Sequence, residues 1–171
     1  MPDDALEYIN TASREASKQN NNWVLISARL VSAYSYFLKG DHKRCIRLFR
    51  EFLKQRSEIH VNVNLYPYLF SLLWQMEQGK LPVIKGYSLR KEVQRTIRIQ
   101  NIFMKGVAYR YQALLQKKDG EPHKKVMASL KKSEKWLQES GHQFELAETY
   151  MEMARIQLLM KQKKEAWDLA N

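Results

Sequence analysis

Cysteine, proline and glycine are scarce in this chain of 171 residues, which has one, four and six of them. A single cysteine excludes a disulfide within the chain and is typical of proteins in a reducing compartment. The few glycines and prolines leave little material for the many tight turns of a β protein. The composition therefore favours an all-helical fold.

Long apolar runs are missing as well. The most apolar stretch, residues 65–76, contains Pro67 and has about a dozen residues, whereas a membrane-spanning helix needs about 20. The first five residues, from Met1 to Ala5, lack the positive and apolar regions of a signal peptide. We expect a soluble, cytoplasmic protein with no membrane partner.

Positive charge is in excess, with 29 Lys and Arg against 18 Asp and Glu, a formal net charge of +11. Such an excess favours anionic partners, although a solvated helical surface with a basic bias is the preferred explanation. The length suits one domain with a real core. We predict a single helical-repeat domain over residues 1–171.

Apolar residues recur with helical spacing along most of the chain, and Gly or Pro separates the periodic segments. The fourth segment has two alternative starts, at Asn62 or at Pro67. Residues 88–118 could form one long helix, or two that meet near Gln100 and Asn101. The predicted helices are 5–18, 23–39, 42–57, 62–78, 88–118, 123–139, 143–160 and 163–171.

Residues 28–53 show the clearest local pattern, two amphipathic helices joined at Gly40 and Asp41. Gly40 can adopt the left-handed conformation that ends a helix, and Asp41 can cap the next one. Ala33 and Tyr36 lie three apart on the first helix, and Cys45, Phe49 and Phe52 line one face of the second. Small and bulky residues thus alternate where the two helices should meet.

This pattern recurs along the chain. Gly40, Gly79 and Gly120 lie about 40 residues apart, so each marks a similar point in a repeat. The offset from Ala33 to Cys45 equals the offset from Ala154 to Ala166. Gly106, with Tyr109 three residues later, fills the small position of a third hairpin.

The hairpin at 28–53 and the segment from Leu130 to Ala154 resemble tetratricopeptide-type repeats. The long period is most similar to the arrays of large bacterial regulators, such as MalT-type and sigma-54-dependent activators. The resemblance implies an all-α, right-handed α-solenoid of antiparallel helix hairpins with a period of about 40 residues. Residues 5–18 look like a second helix without its first, so we expect the chain to be an excerpt of a longer protein.

No catalytic motif is present: the chain has no Gly-rich phosphate loop, no His-Glu-x-x-His and no paired cysteines. Cys45 falls on a face that should pack against the partner helix, so a buried, inert thiol is expected. Glu148 and Glu152 are explained by a solvated helix face near Arg155. We expect no enzyme, cofactor or metal site, since the histidines are scattered next to predicted turns: His42, His60, His123 and His142.

The resemblance implies a non-enzymatic interaction or sensing module of a bacterial signal-responsive transcriptional regulator. Its partner would be a protein or peptide, a small effector, or other domains of the same regulator, held in a concave groove. Repeat-to-repeat packing is the competing explanation for the same side chains. The residues that the resemblance places on the concave face are Tyr34, Phe37, Tyr66, Leu73, Phe103, Arg110, Met151 and Arg155.

A nucleic-acid-binding helical repeat is the alternative hypothesis. Lys91, Arg95 and Arg98 share one helix face, and a later helix carries a second basic row, Lys124, Lys131 and Lys135. A nucleic-acid reader also needs stacking aromatics or a helix that enters a groove. Because the two rows lack such an element, nucleic acid is the less favoured partner.

Overall fold

A computed structural model describes residues 2–58, 67–160 and 167. All regular structure in this part of the chain is helical, which confirms the all-α prediction. None of its helices is long and apolar enough to cross a membrane. The helices are α1 (Pro2–Lys18), α2 (Asn22–Leu38), α3 (His42–Glu58), α4 (Pro67–Glu77), α5 (Leu89–Ile97), α6 (Ile102–Lys118), α7 (His123–Ser140) and α8 (Gln143–Leu159).

The chain divides into two compact units, Met1–Tyr87 and Ser88–Asn171. In the first unit, α2 packs against α1 and α3 and also contacts α4. Its core is mainly apolar, with Ser35 and Arg56 as buried polar residues, and draws on α2, α3 and α4. The fully buried side chains include Leu30, Ala33, Cys45, Phe49, Phe52, Phe70 and Leu72.

The turn between α2 and α3 has the predicted geometry. Gly40 is left-handed, with φ of 77°, and Asp41 accepts a hydrogen bond at 3.0 Å from the Arg44 N–H through Oδ1. The N–H groups of Gly40 and Asp41 donate to the carbonyls of Phe37 and Tyr36. Free backbone groups at both helix ends are thereby satisfied, which fixes α3 antiparallel to α2.

In the second unit, α6 packs against α5 and α7, and α7 packs against α8. Gly106 sits where α6 meets α7: a Cβ there would lie 2.5 Å from Leu137 Cγ and 3.2 Å from its backbone N. The position that was predicted to hold a small residue is therefore a point where two helices approach closely. An apolar cluster in this unit is formed by Ala113, Val126, Met127, Leu130, Met153 and Ile156.

Buried hydroxyls also tie the second unit together. Ser133 on α7 donates to the Gly106 carbonyl at 2.7 Å and lies 3.0 Å from the hydroxyl of Thr149 on α8. Thr149 in turn donates to the Glu145 carbonyl at 3.0 Å. Both hydroxyls are fully buried. Each has only one proton to donate, so two of these three contacts can be hydrogen bonds at any one time.

Several predicted helix ends differ from those observed. α1 begins at Pro2 rather than at residue 5, so Asp3 and Asp4 lie in its first turn instead of capping it. There they still meet the positive end of the helix dipole. Ser88 occupies the N-cap position of α5 but makes no side-chain capping hydrogen bond. Pro122 lies one residue before α7 rather than at its first position.

Both open alternatives concern helix starts. Residues 88–118 form two helices, because Asn101 caps α6 by accepting from the Met104 N–H at 3.0 Å. α4 begins at Pro67, while the alternative start at Asn62 lies outside the described residues. The predicted helix at 163–171, including Ala166, lies outside them too, apart from Trp167.

Candidate binding surfaces

A row of four stacked rings crosses the first unit. Tyr34 on α2 stacks on Tyr68 of α4 with centroids 4.8 Å apart, and on Phe37 one turn along α2 at 6.5 Å. Phe37 stacks on His42 at the start of α3, at 5.5 Å. We call Tyr68, Tyr34, Phe37 and His42 the aromatic row.

The aromatic row is formed by local sequence features. Tyr34 and Phe37 lie three apart and so share a face of α2, and the Gly40 turn brings His42 back beside Phe37. Tyr68 is in the first turn of α4 and is 36% exposed, while Tyr34 and Phe37 are half-buried and His42 is exposed. The row therefore keeps part of its aromatic surface in contact with solvent.

Of the predicted site residues in this unit, Tyr34 and Phe37 belong to the aromatic row. Tyr66 lies outside the described residues. Leu73 is 1% exposed and belongs to the core, so its side chain offers no binding surface. Tyr68 and His42 were not among the predicted site residues, although Pro67 marked a helix start beside Tyr68.

Arg110 in the second unit is a structural residue. Its guanidinium is 7% exposed, forms an ion pair with Glu145 of α8, and lies 3.6 Å from Glu148. Burial lowers the pKa of Arg110, but the charges of Tyr111, Glu145 and Glu148 outweigh it, so the pKa is raised above its ordinary value. Arg110 therefore links α6 to α8 as a permanent cation.

The remaining predicted residues keep exposed surface. Phe103 is half-buried and stacks on His142 with centroids 3.8 Å apart. Met151 is 40% exposed, and Arg155 is exposed and paired with Glu152. Whether these residues bind a partner stays a prediction.

The exposed side of α8 is more apolar than the sequence analysis indicated. Phe144 and Leu158 are 72% and 55% exposed, and each lies seven residues from Met151. A spacing of seven places all three on one side of a helix. The spacing was visible in the sequence, but of these three residues only Met151 was predicted to lie on a binding face.

The candidate chemical groups are dispersed or buried. Cys45 has no exposed surface, and burial together with the charge of Asp41 raises the pKa of its thiol to about 11. His42 and His142 take part in ring stacks, and His60 lies outside the described residues. Within the described ranges, no three His, Cys, Asp or Glu side chains are grouped to hold a metal ion.

The two predicted basic rows are exposed on α5, with its C-cap residue, and on α7. Lys135 lies 5.5 Å from the ring of Trp136, which also receives Lys105 at 5.0 Å. A third row on α3 was missed: Lys43, Arg47, Arg50 and Lys54 are all exposed. The spacing was visible in the sequence, but α3 was interpreted only through its apolar face.

Comparison of the chain with known protein families, with curated proteins and with solved structures found no match. The resemblance to regulator repeats therefore stays a prediction.

Proposed function

We propose that this chain is a non-enzymatic interaction module that binds a peptide or a partner helix through the aromatic row. The observation that carries the proposal is the partly exposed stack of Tyr68, Tyr34 and Phe37 in the first unit. Tyrosine is among the residues that most often dominate the energy of protein interfaces. Its ring supplies a large apolar area, and its hydroxyl supplies a hydrogen bond.

The geometry of the row favours an apolar side chain as the ligand group. Tyr34 is supported on both sides by Tyr68 and Phe37, so little side-chain entropy is lost when a partner packs against it. Tyr68 comes from α4 and Tyr34 from α2, so one ligand side chain can contact two helices. A helix or extended peptide with one or two bulky apolar anchors matches such a surface.

The proposed wider context is a right-handed, tetratricopeptide-like solenoid in the cytoplasm, part of a bacterial signal-responsive transcriptional regulator. Two observations support a repeat: Gly40 and Gly120 end α2 and α6 with φ of 77° and 74°. Ala33 and Gly106 are among the small residues buried in those helices. In such an array each repeat contacts its neighbours, so a bound partner shifts the equilibrium between conformations and passes that shift to attached domains.

The test is selection of a ligand followed by mutation of the row. A displayed library of random peptides is selected on the whole chain, and the most enriched peptide is measured by titration. We expect Tyr34→Ala and Tyr68→Ala each to weaken binding about tenfold or more, the effect of losing an interface hot spot.

Tyr8→Ala is the matched control, because Tyr8 is 77% exposed on α1 and outside the row. It should leave the affinity unchanged, and melting curves should show that all three variants fold. If no peptide is enriched, or if the enriched peptide binds the Tyr34 and Tyr68 variants as tightly as the unaltered chain, the proposal is wrong.

A further inference from the structure

Helix α3 has two chemically distinct faces. Cys45, Phe49 and Phe52 point into the core of the first unit and have no exposed surface. Successive steps of four, three and four residues place a row of exposed cations on one line of the helix. We call these residues, Lys43, Arg47, Arg50 and Lys54, the basic face.

The charge on the basic face is poorly compensated. Of the two nearby acids, Asp41 lies 3.4 Å from Arg44, and Glu51 lies 3.8 Å from Arg29 of α2. Among the described residues, Lys43, Arg47 and Arg50 have no ion pair and no ring contact. They also line a depression on the outer side of α3. Three cations are therefore available to an external anion.

The surroundings of the other two basic rows differ in part. On α7, Lys135 of the row lies over Trp136 at 5.5 Å, and its neighbour Lys132 lies over the ring of Tyr109 at the same distance. Beside the α5 row, Arg90 is bound to Asp119 at 2.6 Å. Rings and acids thus engage cations in or next to these rows, whereas Lys43, Arg47 and Arg50 have no such contact among the described residues.

We propose that the basic face of α3 binds the phosphate backbone of duplex nucleic acid without reading its bases. The three available cations, Lys43, Arg47 and Arg50, span about 10 Å along the helix, or one charge per about 5 Å at about 1.5 Å per residue. Each strand of a duplex presents one phosphate per about 3.4 Å of axis, so a row of this length laid along the duplex faces about three phosphates of one strand. Arginine also matches phosphate geometry with two parallel hydrogen bonds.

Other anionic partners fit the basic face less well. The core of a protein interface is depleted in charged residues and needs apolar anchors, whereas the depression has Ile46 as its one apolar lining residue. A helix that lies on a membrane inserts its apolar face, but the apolar face of α3 is buried in the core. No aromatic side chain lines the depression, so bases have no stacking platform there.

The experiment measures binding of the whole chain to a labelled mixed-sequence duplex by fluorescence anisotropy at several salt concentrations. With three phosphates neutralised, log K should fall against log salt with a slope of about −3. Replacing two of these cations, in the double variant Arg47→Gln with Arg50→Gln, should reduce the slope by about two and weaken binding uniformly across sequences.

The matched control is Lys124→Gln with Lys131→Gln on α7, which removes the same charge from an exposed face. Its slope should stay close to that of the unaltered chain. The proposal is overturned if no duplex binds at low salt or if both double variants lose affinity equally. It is also overturned if polyglutamate or anionic lipid vesicles bind as tightly as the duplex. All substituted residues are exposed, so melting temperatures should not change.

Discussion

Each unit contains a helix hairpin with a left-handed glycine in its turn, α2–α3 in the first and α6–α7 in the second. The helices of the two hairpins are nearly equal in length. Their interiors differ. The first is closed by apolar side chains, with Ala33, Cys45 and Phe49 fully buried. The second brings α6 against Leu137 at Gly106 and adds the buried hydroxyl of Ser133, which also meets the hydroxyl of Thr149 on α8.

The two interiors differ in how strictly their interactions fix the positions of the side chains. Apolar burial depends on area and volume, so several arrangements of similar residues can satisfy it. Buried hydrogen bonds and ion pairs need fixed partners, because an unmet polar group costs about 1–3 kcal/mol or more. We therefore expect the second unit to tolerate fewer single substitutions than the first, and to respond to paired substitutions in a way that the first does not.

The largest effect should come from Arg110→Ala. This change leaves Glu145 buried without its cation and should cost about 3–5 kcal/mol in the free energy of unfolding. Replacing both partners, as Arg110→Met with Glu145→Leu, should recover most of that loss because no buried charge remains. Urea denaturation of the three proteins measures both values, and a loss below about 1 kcal/mol for Arg110→Ala would contradict a structural role.

A smaller effect is expected for Gly106→Ala. The added Cβ would lie 2.5 Å from Leu137 Cγ, so the helices must shift, at a cost of about 1–3 kcal/mol. Gly40→Ala is the counterpart in the first unit: nothing lies within 4 Å of its Cβ position, and the left-handed backbone alone should cost about 1 kcal/mol.

A double-mutant cycle separates the two glycines. Leu137→Ala should make Gly106→Ala less costly but leave the cost of Gly40→Ala unchanged, since Leu137 contacts only the first position. Equal costs of Gly106→Ala with and without Leu137 would show that close helix approach is not the reason for this glycine.

An effect confined to high pH concerns Cys45. Its thiol has a pKa of about 11 in the fold against an ordinary value of 9.0, so the folded chain holds the proton more tightly. Its contribution to stability is present below pH 9 and is lost as the pH rises towards 11. The free energy of unfolding of the unaltered chain should therefore fall more steeply over this interval than that of Cys45→Ala. If the free energy of unfolding falls equally steeply with pH in both proteins, the raised pKa of Cys45 is wrong.

Local features of this fold were predictable from sequence, whereas contacts between distant helices were not. Gly40 and Asp41 identified their turn because both act on the backbone within three residues. The break between α5 and α6 was also visible, since Asn101 is a strong capping residue. The start of α1 was predicted three residues too late, because the ends of helices depend on few interactions.

The roles of the candidate site residues depended on non-local packing. Arg110 has the residue type of an interface anchor, but its partner Glu145 lies 35 residues later on another helix. Nothing in the local pattern sets the register between α6 and α8, so its burial could not be deduced. Tyr34 and Phe37 kept exposed surface because their neighbours, Tyr68 and His42, are rings that stack beside them rather than cover them.

The link between α6 and α8 determines where this polypeptide can be cut. A fragment that stops at Ser140 keeps α6 and α7 but removes Glu145 and Thr149, the acid and hydroxyl that complete their polar interior. Arg110 would then have lost its buried partner on α8 and would lie beside apolar side chains. Dissection of the second unit into smaller pieces should therefore retain residues through Leu159, and deletion from the carboxyl side should abolish folding as soon as it enters α8.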